Sequence, residues 1–219
     1  MKVLISGYGK MGRIIEKELL SCNVEFVGSS EDVCSTDPAL ARECVCVDFT
    51  TPEAFRQNYR FIAEHFKAAV VGTTGWDDIR SQVTDYFASK GTTLIYASNF
   101  SLGVNALYAA AQKVSSMLKG AGYNALIEET HHIHKLDAPS GTAKVLGGIV
   151  EESLGEVPQI KSFREGEVPG IHALTLTSSW DKLTLTHEAF SREGLAKGAV
   201  AAVFMTESIK GVHNFGDLL

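Results

Sequence analysis

Residues 131–143 read HHIHKLDAPSGTA, which places His131, His132, His134 and Lys135 within five residues, followed by a proline and a Ser-Gly-Thr step. Three kinds of chemistry fit such a stretch: a metal site, an acid–base centre beside an anion pocket, or a polar loop with no chemistry. A zinc site needs three or four converging ligands with partners behind them. Adjacent and alternating histidines on one segment aim at most two rings at one point. Glu128 and Glu129 are close in sequence, but Lys135 adds a cation and no cysteine is nearby. No metal is expected. The acid–base reading uses every residue. Histidine and lysine are the side chains best suited to donate a proton near neutral pH, lysine more so when burial lowers its pKa. Pro139 enforces an extended approach, and Ser140, Gly141 and Thr142 open a helix whose hydroxyls and free N–H groups suit a carboxylate.

A second stretch supplies a redox partner. In ISGYGKMGR, Gly7, Gly9 and Gly12 form G-x-G-x-x-G between an apolar run and a helical pattern. The first glycine permits the turn and the second lets a pyrophosphate approach the backbone. The third allows close helix–strand packing, with the phosphates on the helix N-terminus. Alone the motif is weak; at the start of a βαβ unit it points to a dinucleotide. Glu31 and Asp32 lie about twenty residues beyond Gly12, where a carboxylate holds the adenosine ribose. Two acidic groups there repel a 2′-phosphate, so the expected cofactor is NADH, with NADPH as the alternative. Proton donors beside a carboxylate cradle, facing a nicotinamide, describe reduction of an acidic substrate with protonation.

These residues require elements to hold them. Lys2–Ser6, Val24–Gly28, Val45–Phe49, Ala68–Gly72 and Thr93–Ala97 read as short apolar strands separated by helical patterns such as Arg13–Ser21. Near-continuous apolar strands of that kind belong to a parallel sheet covered on both faces. Thr51 is the expected N-cap of a helix with Pro52 in its first turn. The pattern then changes. Leu102–Leu118 and Thr142–Leu154 read as helices and Asn124–Thr130 as a strand. Residues 171–177 and 182–190 alternate strictly, as in an antiparallel hairpin, and Ala196–Ile209 reads as a final apolar helix. The fold class is therefore α/β: a Rossmann-type parallel-sheet domain (residues 1–101 and 192–219) with a smaller α+β domain (102–191) carrying a mixed sheet.

Bulk properties exclude other classes. The 219 residues are 45% hydrophobic and 21% charged, enough apolar material for a core, and the formal net charge is −6 without a basic block, which speaks against nucleic acid. The apolar run Gly198–Met205 is too short to cross a bilayer, and the start of the chain does not read as a secretory signal. A cytoplasmic protein with no membrane partner is expected. Cys22, Cys34, Cys44 and Cys46 contain no C-x-x-C pair and read as reduced thiols.

EETHHIHKLDAPSGTA resembles the signature of the 4-hydroxy-tetrahydrodipicolinate reductase family, which acts on the diaminopimelate route to lysine. GYGKMGR, VDFTTPE, VVGTTGW, ASNFSLGVN and THEAFSREGLAKGA resemble further family motifs, in the family's order and across nearly the whole chain. The resemblance implies that His131 is the acid–base residue and Lys135 a proton donor. His132, Ser140, Gly141 and Thr142 would hold the carboxylates of a dicarboxylate substrate, with His134 and Asp137 in support. Gly7, Tyr8, Gly9, Lys10, Met11, Gly12 and Glu31 would hold the adenosine diphosphate. Gly72, Thr73, Thr74, Ala97, Ser98, Asn99 and Phe100 would line the nicotinamide, and Asn99–Ser101 would form an interdomain hinge. It also implies a homotetramer built through the second domain's sheet, because a lone hairpin leaves unpaired edges. Two departures stand out: the stretch between Gly28 and Val45 is short for the family, and Asp32 stands where some relatives carry arginine. A different small dehydrogenase would share the glycine turn without needing His-His-x-His-Lys, and an NADH-sensing module would leave His131 and Lys135 idle.

Overall fold

The computed structural model describes all 219 residues. The chain forms two compact units, Met1–Ser101 with Glu193–Leu219, and Leu102–Arg192.

The first unit is built on six parallel strands: β1 (Lys2–Ser6), β2 (Glu25–Ser30), β3 (Cys44–Asp48), β4 (Ala68–Val71), β5 (Thr93–Tyr96) and β10 (Val212–Asn214), in the order β10-β5-β4-β3-β1-β2. Every residue of β3 and β4 is buried. The period of two sorts them between two cores. Val3, Ile5, Val45, Val47 and Val70 join one cluster, and Leu4, Cys44, Cys46, Ala69 and Val71 join the other. Helices α1 (Lys10–Ser21) and α7 (Glu193–Met205) cover the first face; α3 (Pro52–His65) and α4 (Arg80–Lys90) cover the second. All four cysteines are free thiols.

Helix α1 starts at Lys10, three residues before the periodicity suggested, so Gly12 lies inside its first turn. A Cβ on Gly12 would sit 2.5 Å from the Gly7 carbonyl oxygen, so only glycine lets helix and turn pack. Thr51 caps α3 by accepting from Ala54 N at 3.2 Å, with Pro52 in the first turn as expected. Between β2 and β3 the chain makes only a single 3-10 turn (Val33–Ser35) and the four-residue helix α2 (Pro38–Ala41), capped by Asp37. That short link leaves β2 as an edge strand. The order of strands reverses at β1 and β3, the switch point beside which ligands bind in open sheets of this kind.

The second unit comprises α5 (Leu102–Leu118), β6 (Asn124–His131), α6 (Gly141–Leu154), β7 (Gln159–Arg164), β8 (Gly170–Thr177) and β9 (Lys182–Ala189). Its sheet runs β7-β6-β8-β9, parallel between β6 and β7 and antiparallel elsewhere, hence mixed. Leu107 and Ala111 of α5 and Leu146 and Val150 of α6 pack on Ile127, Leu174 and Leu176. Strand β7 is an addition to the sequence reading. Its inward positions are Ile160, Ser162 and Arg164, which give almost no apolar alternation. Strand β8 pairs with β6 as well as with β9, so the hairpin is no free ribbon and the open edges are β7 and β9. Helix α7 ends at Met205, not Ile209; beyond it the Thr206 hydroxyl donates to the Val203 carbonyl at 2.7 Å. No helix is long and apolar enough to cross a membrane.

Candidate active site

Three adjacent strands of the second unit bring chemistry to one end of the sheet. Strand alternation puts Glu129 and His131 of β6 on the helix-facing side with Ile127. The β6–β7 register pairs His131 with Arg164, and the β6–β8 register pairs Glu129 with His172. Ser140, the N-cap of α6, closes over them.

The centre is a buried dyad. His131 Nδ1 is hydrogen-bonded to Glu129 Oε2, and the carboxylate is fully buried. Glu129 Oε1 accepts from both terminal nitrogens of Arg164 at 3.1 Å and from the Ser140 backbone N–H at 3.3 Å. Burial alone would raise the Glu129 carboxyl, but hydrogen bonds from Ser162, Arg164 and His131 hold it below the usual range, so it is ionised. Burial pulls His131 below its ordinary 6.5 while Glu129 pulls the other way. With Nδ1 turned to the carboxylate, Nε2 is the ring nitrogen left for another partner. Gly170 lies against it: a Cβ there would be 3.1 Å from His131 Nε2.

His172 forms the floor. Its ring meets that of His131 edge-on at 5.0 Å, its Nε2 is 3.1 Å from Ser140 Oγ, and it is 4% exposed. Burial first, then the neighbouring His131, pushes its pKa down to about 4, so the ring is neutral at physiological pH. Ser140 Oγ also accepts from Ala143 N at 3.2 Å, and a Cβ on Gly141 would meet nothing within 4 Å. The first turn of α6 thus has a capped, buried entrance beside open space.

Arg164 ties the loop to the dyad. Its Nε donates to the Lys135 carbonyl at 3.2 Å and a terminal nitrogen to the Asp137 carbonyl at 2.5 Å, besides both bonds to Glu129. Lys135 Nζ is 2.8 Å from Asp137 Oδ1, at the end of a turn in which Lys135 N donates to His132 O. Partial burial works against ionisation of Asp137, yet Lys135 holds it below the usual carboxylate range. His132 and His134 do not join the dyad. Their rings lie 6.0 Å apart, His134 pairs with Glu167 at 3.0 Å in solvent, and His132 Nδ1 is buried without a partner. The donor atoms that do lie together, within 4.8 Å, are those of Glu129, His131 and His172. There Arg164 already occupies the carboxylate, and the grouping suits proton transfer.

In the first unit the expected dinucleotide residues stand at carboxyl ends of strands. Gly7 has φ +85°, and a Cβ on it would meet Phe49 O at 2.6 Å. Gly9 caps α1 with no side chain occupying the helix end, no acidic residue sits in the first turn, and a Cβ on Gly9 would touch nothing within 4 Å. That cradle fits a diphosphate. Glu31 Oε1 accepts from Tyr8 N at 3.1 Å, which places the acidic side chain at the glycine turn. Tyr8 is braced by Glu16 through its hydroxyl and by Arg13, whose guanidinium lies 5.0 Å above the ring; Lys10 is exposed and Met11 packs on the core. Thr73, Thr74, Ala97 and Ser98 line one pocket together with Gly75, Trp76, Tyr96 and Asn214. Gly72 packs so tightly that a Cβ would strike the Phe49 ring at 2.2 Å. Phe100 is 1% exposed in the core, 5.0 Å from Phe215, and Asn99 Oδ1 accepts from Ser101 N at 2.8 Å; neither lines that pocket. Buried Asp48 accepts from the hydroxyls of Thr73 at 2.5 Å and Thr50 at 2.9 Å, tying the loops after β3 and β4.

The two family models for dihydrodipicolinate reductase match end to end, the N-terminal one over residues 1–100 and the C-terminal one over residues 103–219. The chain belongs to the dihydrodipicolinate reductase family. It is 36% identical to the 4-hydroxy-tetrahydrodipicolinate reductase of Christiangramia forsetii, across 100% of this chain and 98% of that one. With the enzyme of the same name from Methanopyrus kandleri it shares 35% identity over 83% of this chain and 74% of the other. Among solved structures, a dipicolinate-bound dihydrodipicolinate reductase from Paenisporosarcina sp. TG-14 superposes with a TM-score of 0.81 at 22% identity, covering 100% and 99% of the two chains. That likeness carries the fold: a parallel Rossmann-type sheet and a smaller mixed sheet. Family membership and the glycine cradle together indicate that this reductase binds a nicotinamide cofactor.

Sequence alone assigns neither Arg164 nor His172 to this site, and it weighs Glu129 only as a metal ligand. Glu129 could have been found from its i, i+2 spacing to His131 in a strand. Arg164 and His172 carry no such signal, because only sheet register brings them to the site.

Proposed function

We propose that this reductase converts 4-hydroxy-tetrahydrodipicolinate to tetrahydrodipicolinate, with NADH as preferred cofactor and NADPH as the alternative, in lysine biosynthesis through diaminopimelate. The observation that carries this reading is the Glu129–His131 dyad beside the Ser140 entrance of α6. Loss of the substrate hydroxyl as water and gain of a hydride leave one proton to be supplied. A bound reduced nicotinamide supplies the hydride. His131, held by Glu129 with Nε2 outward, holds the proton at the reacting end of the dyad, and Lys135, fixed by Asp137, is the second donor. Ser140, Gly141, Thr142 and His132 bind the two carboxylates. The first unit acts as the dinucleotide-binding domain, through Gly7–Gly12, Glu31, Gly72–Thr74, Ala97 and Ser98. Glu31 at the glycine turn and Asp32 beside it disfavour a 2′-phosphate. The second unit acts as the substrate-binding and tetramerisation domain of a cytoplasmic homotetramer.

The test is oxidation of NADH, with NADPH in parallel, by wild type and by His131→Gln, the substrate being made from pyruvate and aspartate semialdehyde by the preceding synthase. Wild type turns over, and the variant loses roughly 10²–10⁴-fold in rate while still binding NADH. Binding of NADH without oxidation by wild type would sink the assignment and favour a sensor.

A further inference from the structure

Ser140 is held from two sides. Its backbone N–H donates to Glu129 Oε1, and its hydroxyl oxygen accepts from Ala143 N and lies 3.1 Å from His172 Nε2. Ser140 and His172 are 2% and 4% exposed, so no solvent competes for these bonds. His172 Nδ1 is buried and has no partner. A buried N–H without an acceptor is the rarer and costlier defect, and an unpaired acceptor nitrogen the lesser one. The neutral ring therefore carries its proton on Nε2 and donates it to Ser140 Oγ. A serine hydroxyl has two acceptor lone pairs and one proton. With Ala143 N–H and His172 Nε2–H filling both lone pairs, the proton of Ser140 is left for an acceptor outside this buried cluster.

We propose that His172 is a positioning residue that makes Ser140 an obligate hydrogen-bond donor toward a substrate carboxylate. This rests on the reductase reading above and adds a residue to it. The β6–β8 register supports the arrangement, since it sets His172 opposite Glu129 and lets one strand pair fix both anchors of Ser140. His172 remains neutral when His131 is protonated, because the neighbouring positive charge and burial both disfavour a second one. Its donor role is thus kept through the reaction.

The experiment uses the full-length protein and two readouts: binding of dipicolinate by calorimetry, and the separation of KM from kcat in turnover. His172→Phe keeps a ring and removes the donor; dipicolinate Kd and substrate KM rise three- to tenfold, as for loss of one hydrogen bond, and kcat changes less than twofold. His172→Gln, whose amide nitrogen reaches the Nε2 position, restores both within twofold, whereas the shorter His172→Asn does not. In a Ser140→Ala background, His172→Phe adds nothing further. NADH affinity stays constant throughout. An additive double mutant, or a fall in kcat with KM unchanged, would overturn the proposal. If His172→Phe fails to fold, the Gln and Asn pair decides: equal behaviour of the two would overturn it. Failure of wild type to turn over substrate would instead bring down the reductase reading, and this role with it.

Discussion

Glu129 does two jobs that a substitution can separate. Its shape orients His131, and its charge supports protonation of the ring against the cost of burial. Glu129→Gln keeps the shape and removes the charge. The pKa of His131 then falls further below 6.5, because the influence that raises it is gone while burial, Lys135 and Arg164 still lower it. A protonated His131 becomes scarcer at neutral pH, so kcat/KM drops by roughly 10²-fold and its His131-controlled limb moves to lower pH. A pH–rate profile of the variant checks this. A profile superimposable on wild type, merely scaled down, would show that Glu129 acts through geometry alone. NADH binding serves as the control, since the glycine cradle lies in the other unit.

At the scale of elements, the site depends on β7, whose last residue spreads one guanidinium over Glu129 and the carbonyls of Lys135 and Asp137. Only a planar fork with five donors can make that set of bonds; an ammonium cannot. Arg164→Lys keeps the charge beside Glu129 but releases the loop. Thermal unfolding is expected to show a loss of about 1–3 kcal/mol, and faster hydrogen exchange over residues 132–138 would locate it. Unchanged exchange there would mean that the loop is held by Glu165 and Gly166 alone, which bond His131 O and Ile133 N. This dependence marks the limit of what was legible. The glycine turn, the Thr51 cap, the parallel strands and the Ser140 helix start are local patterns, and each was readable because short-range sterics and capping decide it. Arg164 sits 33 residues beyond His131 on an edge strand with only Ile160 to signal a buried face. His172 sits inside an alternation that reads as plain core. Register, a property of the assembled sheet, decides both. Phe100 makes the complementary case: its motif suggests a nicotinamide wall, but its ring is buried against Phe215 and Phe49.

Across the whole molecule, the buried titratable groups are distributed unevenly, and that predicts which half yields to acid. The second unit holds His131, His172 and His187, all depressed by burial, with His172 at about 4. A histidine whose folded pKa lies below its unfolded value contributes full stability above the unfolded pKa of 6.5 and loses it as pH falls toward the folded one, because the unfolded chain takes up the proton first. Glu129 and Asp137, depressed in their own range, act in the same direction at lower pH. The first unit has the opposite case. Burial raises Asp48, so its folded form binds a proton more readily than the unfolded chain, and its contribution grows as pH falls through that window. Lowering the pH from about 7 to about 5 should therefore destabilise residues 102–192 while residues 1–101 hold. Hydrogen-exchange mass spectrometry resolved by segment measures the difference directly. His172→Gln, which cannot be protonated, should narrow the gap between the two units in the same pH interval. Uniform loss across both units, unaltered by that substitution, would place the acid sensitivity in groups other than the buried histidines.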